Sequence, residues 1–533
     1  MSKHLLFPVT GLLFLAGALF PAGGRAEGGF SPASVRVERS LAGLSAEGIL
    51  SEAAIPPSVE TEIHILLRFM APRPGRAAER PPLSLALVFD RSGSMDDAGK
   101  LNYAIRAGKE AVRLLGPRDK LAIVQYDTTV QVLSPLAPVT DKAVLNRLLD
   151  SLTPGEYTFL SGGLQAGIAQ LQKAGDGSHR RVLLLSDGLA NRGLTDAGKV
   201  AAIGASARDK NISVSTLGLG LDYDENMMQL LAQRGGGQYS YIRDSEDLPA
   251  FFRQELALAA ESVTRGFRLI FIPDPAVGEL KCYGYATSPA DRGLIVEMGD
   301  LYAGEERQVL LRARVRPGSG PTQALGMASL SFALADDSSV GLQTLELPLT
   351  VALVADEGER KEQNAALEDV TSPVREEALL LAAEEARVRA VEELQKGNLN
   401  EASAVLNQAA ASLAAAPASP KIANSMASLA ADEKLLAMAA AEPSRQQEMA
   451  KQSKYSLYKS SQGKSQTLFL QPGDRGAPVE KLQRLLTERG LYSGPADGLY
   501  SDDLANAVRA FQSREGLAVD GVAGQNTLRA LGM

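Results

Sequence analysis

The residues best placed for chemistry lie in one short segment, Phe89-Asp90-Arg91-Ser92-Gly93-Ser94-Met95. The segment closes an apolar run, Leu83–Phe89, that reads as a buried strand. An Asp at the carboxyl end of a strand, with Ser at the second and fourth positions after it, puts three oxygen ligands on one tight loop. Two more oxygens stand where an open α/β sheet gathers its ligands. One is Thr158, in Gly155-Glu156-Tyr157-Thr158-Phe159-Leu160 before an expected helix; the other is Asp187, in Leu185-Ser186-Asp187-Gly188 just past an expected strand. Hydroxyls, carboxylates and waters are hard donors, so Mg²⁺ is the natural occupant, with Mn²⁺ or Ca²⁺ as alternatives. A sixth coordination position is then open to a carboxylate from a partner. Asp96, Asp97, Asp222, Asp224 and Glu225 add acids near strand ends; charge runs of this kind read as solvated faces and are left out of the site.

Other chemistries find little support. The 533 residues include one Cys (Cys282), three His (His4, His64, His179) and no Trp. A lone Cys makes no intramolecular disulfide, and a thiolate zinc site needs cysteine pairs. A Ser–His–Asp triad is hard to build, no carboxylate pair stands out as a hydrolase's acid and base, and the expectation is a non-enzyme. Acids outnumber bases by 63 to 55, a formal charge of −8, which argues against nucleic acid as a partner.

The elements that must position the site follow from periodicity. From residue 83 to 262, short apolar runs (Leu83–Phe89, Leu121–Tyr126, Val182–Leu185, Ile212–Leu217) alternate with amphipathic helical segments. That is the pattern of a doubly wound, Rossmann-like α/β unit with a parallel sheet covered on both faces. Residues 263–355 revert to period two, as in Val309–Val315 and Leu345–Val351, and predict an antiparallel β-sandwich. Residues 27–82 carry a similar alternation at Val59–Phe69 and are expected to complete that sandwich around the α/β unit. His64 falls on the polar face of its strand and is expected to be exposed; Cys282 is expected to be a packed or idle thiol. Residues 356–440 read as a helical hairpin broken at Gly397-Asn398, with a stripe at Ala383, Ala386, Ala390, Val391 and Leu394. The polar stretch 441–467 reads as a flexible linker.

The first 26 residues read as a cleaved secretory signal: Lys3 and His4, an apolar Leu5–Phe20, and a small-x-small Gly24-Arg25-Ala26. Cleavage would remove Lys3 and Arg25 and no acid, taking the mature chain to about −10. The expected location is the periplasm or cell envelope, with an extracellular one as the alternative. No later stretch is apolar enough to span a membrane.

With these residues in view, the 83–260 stretch resembles the von Willebrand factor A family. Asp90-x-Ser92-x-Ser94, Thr158 and Asp187 stand where that family places its metal-ion-dependent adhesion site. The resemblance implies that Ser92, Ser94 and Thr158 ligate the ion directly or nearly so, that the two Asp ligate or act through water, and that the domain binds another protein through the metal. Phe159 departs from the Asn often found after the Thr, which leaves the ligand set intact.

Residues 468–533 resemble the peptidoglycan-binding domain found at the ends of many bacterial wall hydrolases. The matching residues are Gly476, Val479 and Leu482-Gln483, then Asp497-Gly498, Ala507-Val508, Phe511-Gln512, Asp520-Gly521 and Thr527-Leu528. Leu504 stands where a Thr commonly starts the middle helix. Together the two resemblances imply an exported adaptor held to peptidoglycan that captures a protein carboxylate through a metal. An accessory subunit of a wall-remodelling enzyme or transport assembly is the alternative, and a peptidoglycan hydrolase a more distant one.

Overall fold

The computed structural model describes residues 35–531 apart from 73–81, 176–177, 244, 246–247, 250, 253–254, 257–261, 335–340, 464–469, 471–476, 516, 518, 520 and 524. The expected secretory signal, Gly476 and Asp520 therefore lie outside the described residues.

The chain begins with β1 (Arg36–Leu41), β2 (Leu44–Leu50), β3 (Ala54–Ile55) and β4 (Thr61–Met70). It then enters the α/β unit: β5 (Leu83–Asp90), α1 (Lys100–Leu114), β6 (Lys120–Tyr126), β7 (Val130–Pro138), α2 (Lys142–Asp150) and α3 (Leu160–Leu171). The unit continues with β8 (His179–Ser186), α4 (Ala197–Arg208), β9 (Ile212–Leu219), α5 (Glu225–Arg234) and β10 (Gly236–Ile242). These strands form one sheet in the order β10-β9-β8-β5-β6-β7. All neighbours are parallel except β6 and β7. β5 and β9 are buried at every residue, which explains their unalternated apolar sequences. From β5 the chain crosses to β6 on one side and later returns to β8 on the other. The crevice between β5 and β8 is thus a topological switch point, where such sheets bind ligands at the strands' carboxyl ends.

Next come β11 (Ser262–Pro273), β12 (Val277–Cys282), β13 (Thr287–Ala290), β14 (Gly293–Tyr302), β15 (Glu306–Val315), β16 (Thr322–Leu334) and β17 (Gln343–Leu353). They join the first strands in two sheets, β1-β2-β4-β15-β12 and β13-β14-β11-β16-β17-β3. β4 pairs antiparallel with β15, so strands before and after the α/β unit close one sandwich around a shared apolar core including Phe69, Phe267, Phe271 and Phe332. His64 departs from the expectation of an exposed strand residue. It is half-buried, Leu66 beside it is fully buried, and burial lowers the imidazole's proton affinity. The reason is that Val374, Ala378 and Leu381 of the long helix Glu368–Gln395 cover this outer face of the sandwich. Cys282 is half-buried, and burial pushes its thiol up to about 12.

The helical region breaks where Gly397 takes φ +85°, between Glu368–Gln395 and Leu399–Ala414. Ala383, Ala386, Ala390, Val391 and Leu394 are all buried, packing with Leu406, Leu413 and Leu429. The flexible linker expected over 441–467 requires correction. Pro443–Ser461 is a helix that returns to the α/β unit and docks on β10. Its polar sequence hides the contact because the buried side chains are Ala450, Lys451, Ser453, Tyr458, Ser460 and Ser461, an unusual set for a helix face. Tyr458 packs edge-on against Tyr239, its hydroxyl accepting the Tyr239 N–H at 3.2 Å. Lys451 donates to the Tyr223 carbonyl at 2.7 Å and to Glu225 at 2.9 Å, and Lys454 donates to Glu225 at 2.9 Å. Burial alone would raise the Glu225 carboxyl, but hydrogen bonds from Lys454 and Lys451 outweigh it and hold the group at about 2. A depressed carboxylate pKa contributes stability that is present above the unfolded value of 4.5 and is lost as pH falls toward 2. Helix docking is therefore expected to loosen between those limits, as hydrogen exchange in the helix would show, and Glu225→Gln should abolish that pH dependence.

No helix among the described residues is long and apolar enough to cross a membrane.

Candidate metal centre and wall-binding module

The five oxygen residues predicted from sequence are brought together at the switch point. Asp90 ends β5 with its side chain fully buried. One carboxylate oxygen accepts the Ser92 N–H at 2.8 Å; the other accepts Ser186 Oγ at 2.7 Å and Tyr126 Oη at 3.2 Å. Ser92 Oγ lies 3.3 Å from Ser94 Oγ, which donates to Asp187 at 2.7 Å. Thr158 joins them across Gly188: a β-carbon there would meet Ser94 Oγ at 3.3 Å, Thr158 Oγ1 at 3.4 Å and Ser92 Oγ at 3.9 Å. Any side chain at position 188 would crowd the hydroxyl cluster. Thr158 is fixed by paired backbone links to Asn191, donating its N–H to Asn191 Oδ1 at 2.8 Å and accepting the Asn191 N–H at 3.3 Å. The loop carrying Ser92 and Ser94 is held to the one carrying Thr158 by Gly93 N–H to the Glu156 carbonyl at 3.2 Å.

Three supporting residues escape sequence reasoning. Tyr126 sits opposite Asp90 in the β5–β6 register, and Ser186 directly precedes Asp187; both orient Asp90 from neighbouring strand ends. The third is Lys100, at the start of α1, whose ammonium contacts Asp187 at 2.7 Å and is nearly buried. A lysine six residues after Ser94, on the helix that the loop begins, was the available signal. The acids set aside keep other roles: Asp224 caps α5 by accepting the Met227 N–H, Glu225 holds the returning helix, and Asp96, Asp97 and Asp222 are exposed.

These residues fit a hard divalent cation. Burial pushes the Asp90 carboxyl up to about 6 despite the hydrogen bonds from Ser186 and Ser92, and the nearby Asp187 carboxylate adds to the rise; Lys100 pairs with Asp187. A buried carboxylate so placed gains from an added positive charge. The oxygens gathered here belong to two carboxylates and three hydroxyls; among the described residues no group of three or more His, Cys, Asp and Glu gathers. Such a set selects Mg²⁺-like ions over zinc. Lys100 competes with the cation for Asp187. Lys100→Met is accordingly expected to tighten Mg²⁺ binding about tenfold while destabilising the metal-free protein by about 3 kcal/mol, because one buried partner is removed; calorimetry and denaturant melts read the two effects separately.

In the C-terminal module, helices Ala477–Glu488, Asp502–Glu515 and Gln525–Leu531 enclose Leu482, Leu486, Tyr500, Leu504, Val508, Phe511 and Leu528. The two Asp-Gly turns are held in the same way. Gln483 is fully buried and staples the first turn: its Oε1 accepts the Gly498 N–H at 2.9 Å, and its Nε2 donates to the Leu499 carbonyl at 2.9 Å. Gln512 does the same at the second, accepting the Gly521 N–H at 2.9 Å and donating to the Val522 carbonyl at 2.8 Å. Gly498 and Gly521 take φ of +72° and +77°, as the turns require. Ser501 Oγ caps the middle helix by accepting the Leu504 N–H at 3.3 Å, and Leu504, in place of the common Thr, is fully buried core. Gln512→Ala should destabilise the module by about 2–3 kcal/mol, since it strands buried backbone groups; a urea melt followed by tyrosine fluorescence would measure it.

The fold and the oxygen cluster define a von Willebrand factor type A domain: residues 84–254 match the family model of that description. Residues 475–531 match the family described as a putative peptidoglycan binding domain, and the chain carries both. The solved structure of a von Willebrand factor type A protein from Catenulispora acidiphila superposes with a TM-score of 0.56 at 18% identity, covering 75% of this chain and 91% of that one. The ArnB paralog VWA2 from Sulfolobus acidocaldarius gives 0.50 at 17% identity, covering 80% and 99%. Among curated proteins, the uncharacterized protein YfbK of Escherichia coli K12 is 29% identical over 213 residues, which is 39% of this chain and 37% of YfbK. The uncharacterized protein sll0103 of Synechocystis is 26% identical over 288 residues, 51% of this chain and 66% of that protein. The N-acetylmuramoyl-L-alanine amidase CwlL of Bacillus licheniformis is 40% identical over 75 residues, 14% of this chain and 21% of the amidase.

Proposed function

We propose that the chain is an exported, non-enzymatic adaptor of the cell envelope that captures a protein partner through a divalent cation and is held to peptidoglycan by its C-terminal module. The observation that carries this reading is the meeting of Asp90, Ser92, Ser94, Thr158 and Asp187 at the switch point of a von Willebrand factor type A sheet. A bound Mg²⁺ would supply a Lewis-acid contact for a partner's carboxylate. The chain's own residues set the terms: Tyr126 and Ser186 hold Asp90, Asn191 holds Thr158, and Gly188 leaves the hydroxyls room. The peptidoglycan-binding family match supports an envelope location, where an acidic protein gains little from bulk charge and wall binding must be specific.

Residues 468–533, which enclose their own core, should co-sediment with purified peptidoglycan sacculi; a module left in the supernatant would remove the wall anchor. Capture from envelope extract should require Mg²⁺ and fail with chelator or in Asp90→Ala; capture indifferent to both would remove the adhesion-site reading. A second reading, an accessory subunit of a wall-remodelling enzyme, is favoured by the shared stretch with an amidase. It predicts that the captured partner has amidase or related activity.

A further inference from the structure

The metal centre occupies the edge of the α/β sheet where β5 and β8 end. At the opposite edge, where β8, β9 and β10 begin, the domain abuts the sandwich and the two enclose a small cavity of about 30 Å³. Arg180 and Arg181 reach it from β8, Arg208 from the end of α4, and Arg265 from β11, with His179 beside them; Asp300 of β14 is the carboxylate in the wall. Four arginines thus line the cavity beside one lining acid, in a chain whose formal charge is −8.

Part of this charge is balanced. Arg208 pairs with Glu297 at 2.7 Å, which also takes Arg268 at 3.1 Å. Arg181 lies 3.5 Å from Asp300 and 3.7 Å from Glu255 and donates to Tyr302 Oη at 3.1 Å. Two arginine nitrogens are still left without a hydrogen bond, Arg181 Nη1 having the Glu255 carboxylate only at 3.7 Å. Arg180 Nε is buried and makes no hydrogen bond, and Arg181 Nη1, on a side chain only 4% exposed, makes none either. Buried donors without acceptors are costly, and planar guanidinium groups are matched geometrically by carboxylate and phosphate oxygens. The two domains touch backbone to backbone here: a β-carbon on Gly299 of β14 would lie 2.6 Å from the Gly236 carbonyl oxygen of β10. A ligand in the cavity would contact both sides of that joint.

We propose that this cleft is a binding site for a small oxyanion, a phosphate or a compact carboxylate, that bridges the α/β domain and the sandwich. The site lies apart from the metal centre and does not depend on that assignment. The test is calorimetric titration of the full chain with inorganic phosphate, in metal-free buffer at constant pH and ionic strength, with malonate in a parallel arm. One saturable site is expected for at least one anion, with a matching rise in the thermal midpoint. Arg180→Gln should weaken it at least tenfold, Arg180→Lys less, and Arg147→Gln, an exposed arginine elsewhere, not at all. Phosphate binding without malonate binding would assign a phosphate-type ligand, and the reverse a carboxylate. Saturation by neither anion would overturn the proposal. So would wild-type affinity in folded Arg180→Gln and Arg265→Gln variants.

Discussion

Asp90→Asn should abolish Mg²⁺ binding while leaving the metal-free protein at least as stable as the wild type. The two halves of this expectation come from one fact, the complete burial of the Asp90 carboxylate. As a ligand, that carboxylate supplies half of the site's formal negative charge, and its loss should weaken Mg²⁺ binding by at least about 100-fold, or about 2.7 kcal/mol. As a buried charge without its own cation, it opposes folding. Its proton affinity is raised to about 6, chiefly by burial, so between the model-compound value of 3.8 and 6 the folded state binds more protons than the unfolded. Stability contributed by the protonated form is present below 3.8 and is lost as pH rises through about 6. Asn keeps the volume and can still accept from Ser186 and Tyr126. Calorimetry with Mg²⁺ reads the first effect and urea melts at pH 5 and 7.5 read the second. A variant that bound Mg²⁺ normally would end the site assignment, whatever its stability.

The second large effect is expected at the returning helix. Tyr458→Ala removes a side chain 2% exposed, its edge-on contact with Tyr239 at 5.7 Å between ring centroids, and the acceptor of the Tyr239 N–H. Truncation of a buried aromatic costs about 3–5 kcal/mol, and an orphaned backbone donor adds to that. The loss falls at one contact surface, so the helix should detach before the α/β unit unfolds. Limited proteolysis is expected to cut within 443–463 and release the C-terminal module. Tyr458→Phe, which keeps the ring and loses the hydroxyl, should be cut at an intermediate rate. Equal cleavage of wild type and Tyr458→Ala would show that the docked helix contributes nothing to holding the module.

The sheet and the cluster of oxygen side chains at its edge were legible because both follow from short-range rules. An unalternated apolar strand ending in Asp, followed by Ser at fixed offsets, places three oxygens before any tertiary contact is known. Thr158 and Asp187 could be added because parallel sheets present all their strand ends on one edge. Lys100, Tyr126 and Ser186 were less legible, since their roles depend on register: Tyr126 matters because it stands opposite Asp90. The docked helix was hidden for a different reason. Its buried face uses lysines and serines, satisfied by Tyr223 and Glu225 more than 200 residues earlier in the chain. A hydrophobicity pattern reports burial in an apolar core and is silent on burial by charge pairing. The outer face of β4 was misread similarly, because a helix that follows it by some 300 residues covers what period two alone assigns to solvent.

The pairing of β4 with β15 has a consequence for the order in which the molecule can be made. Met70 pairs with Glu306 and Thr61 with Val315, so partners are separated by 236 to 254 residues, with the whole α/β unit between them. Chain synthesis delivers β4 long before β15 exists. Closing that gap is entropically cheaper once the intervening segment has folded and its ends lie near each other. The α/β unit, whose strand neighbours all come from residues 83–242, is the part able to fold first. The sandwich then closes after the α/β unit, and its first strands wait, edge exposed, for residues 306–315 to arrive.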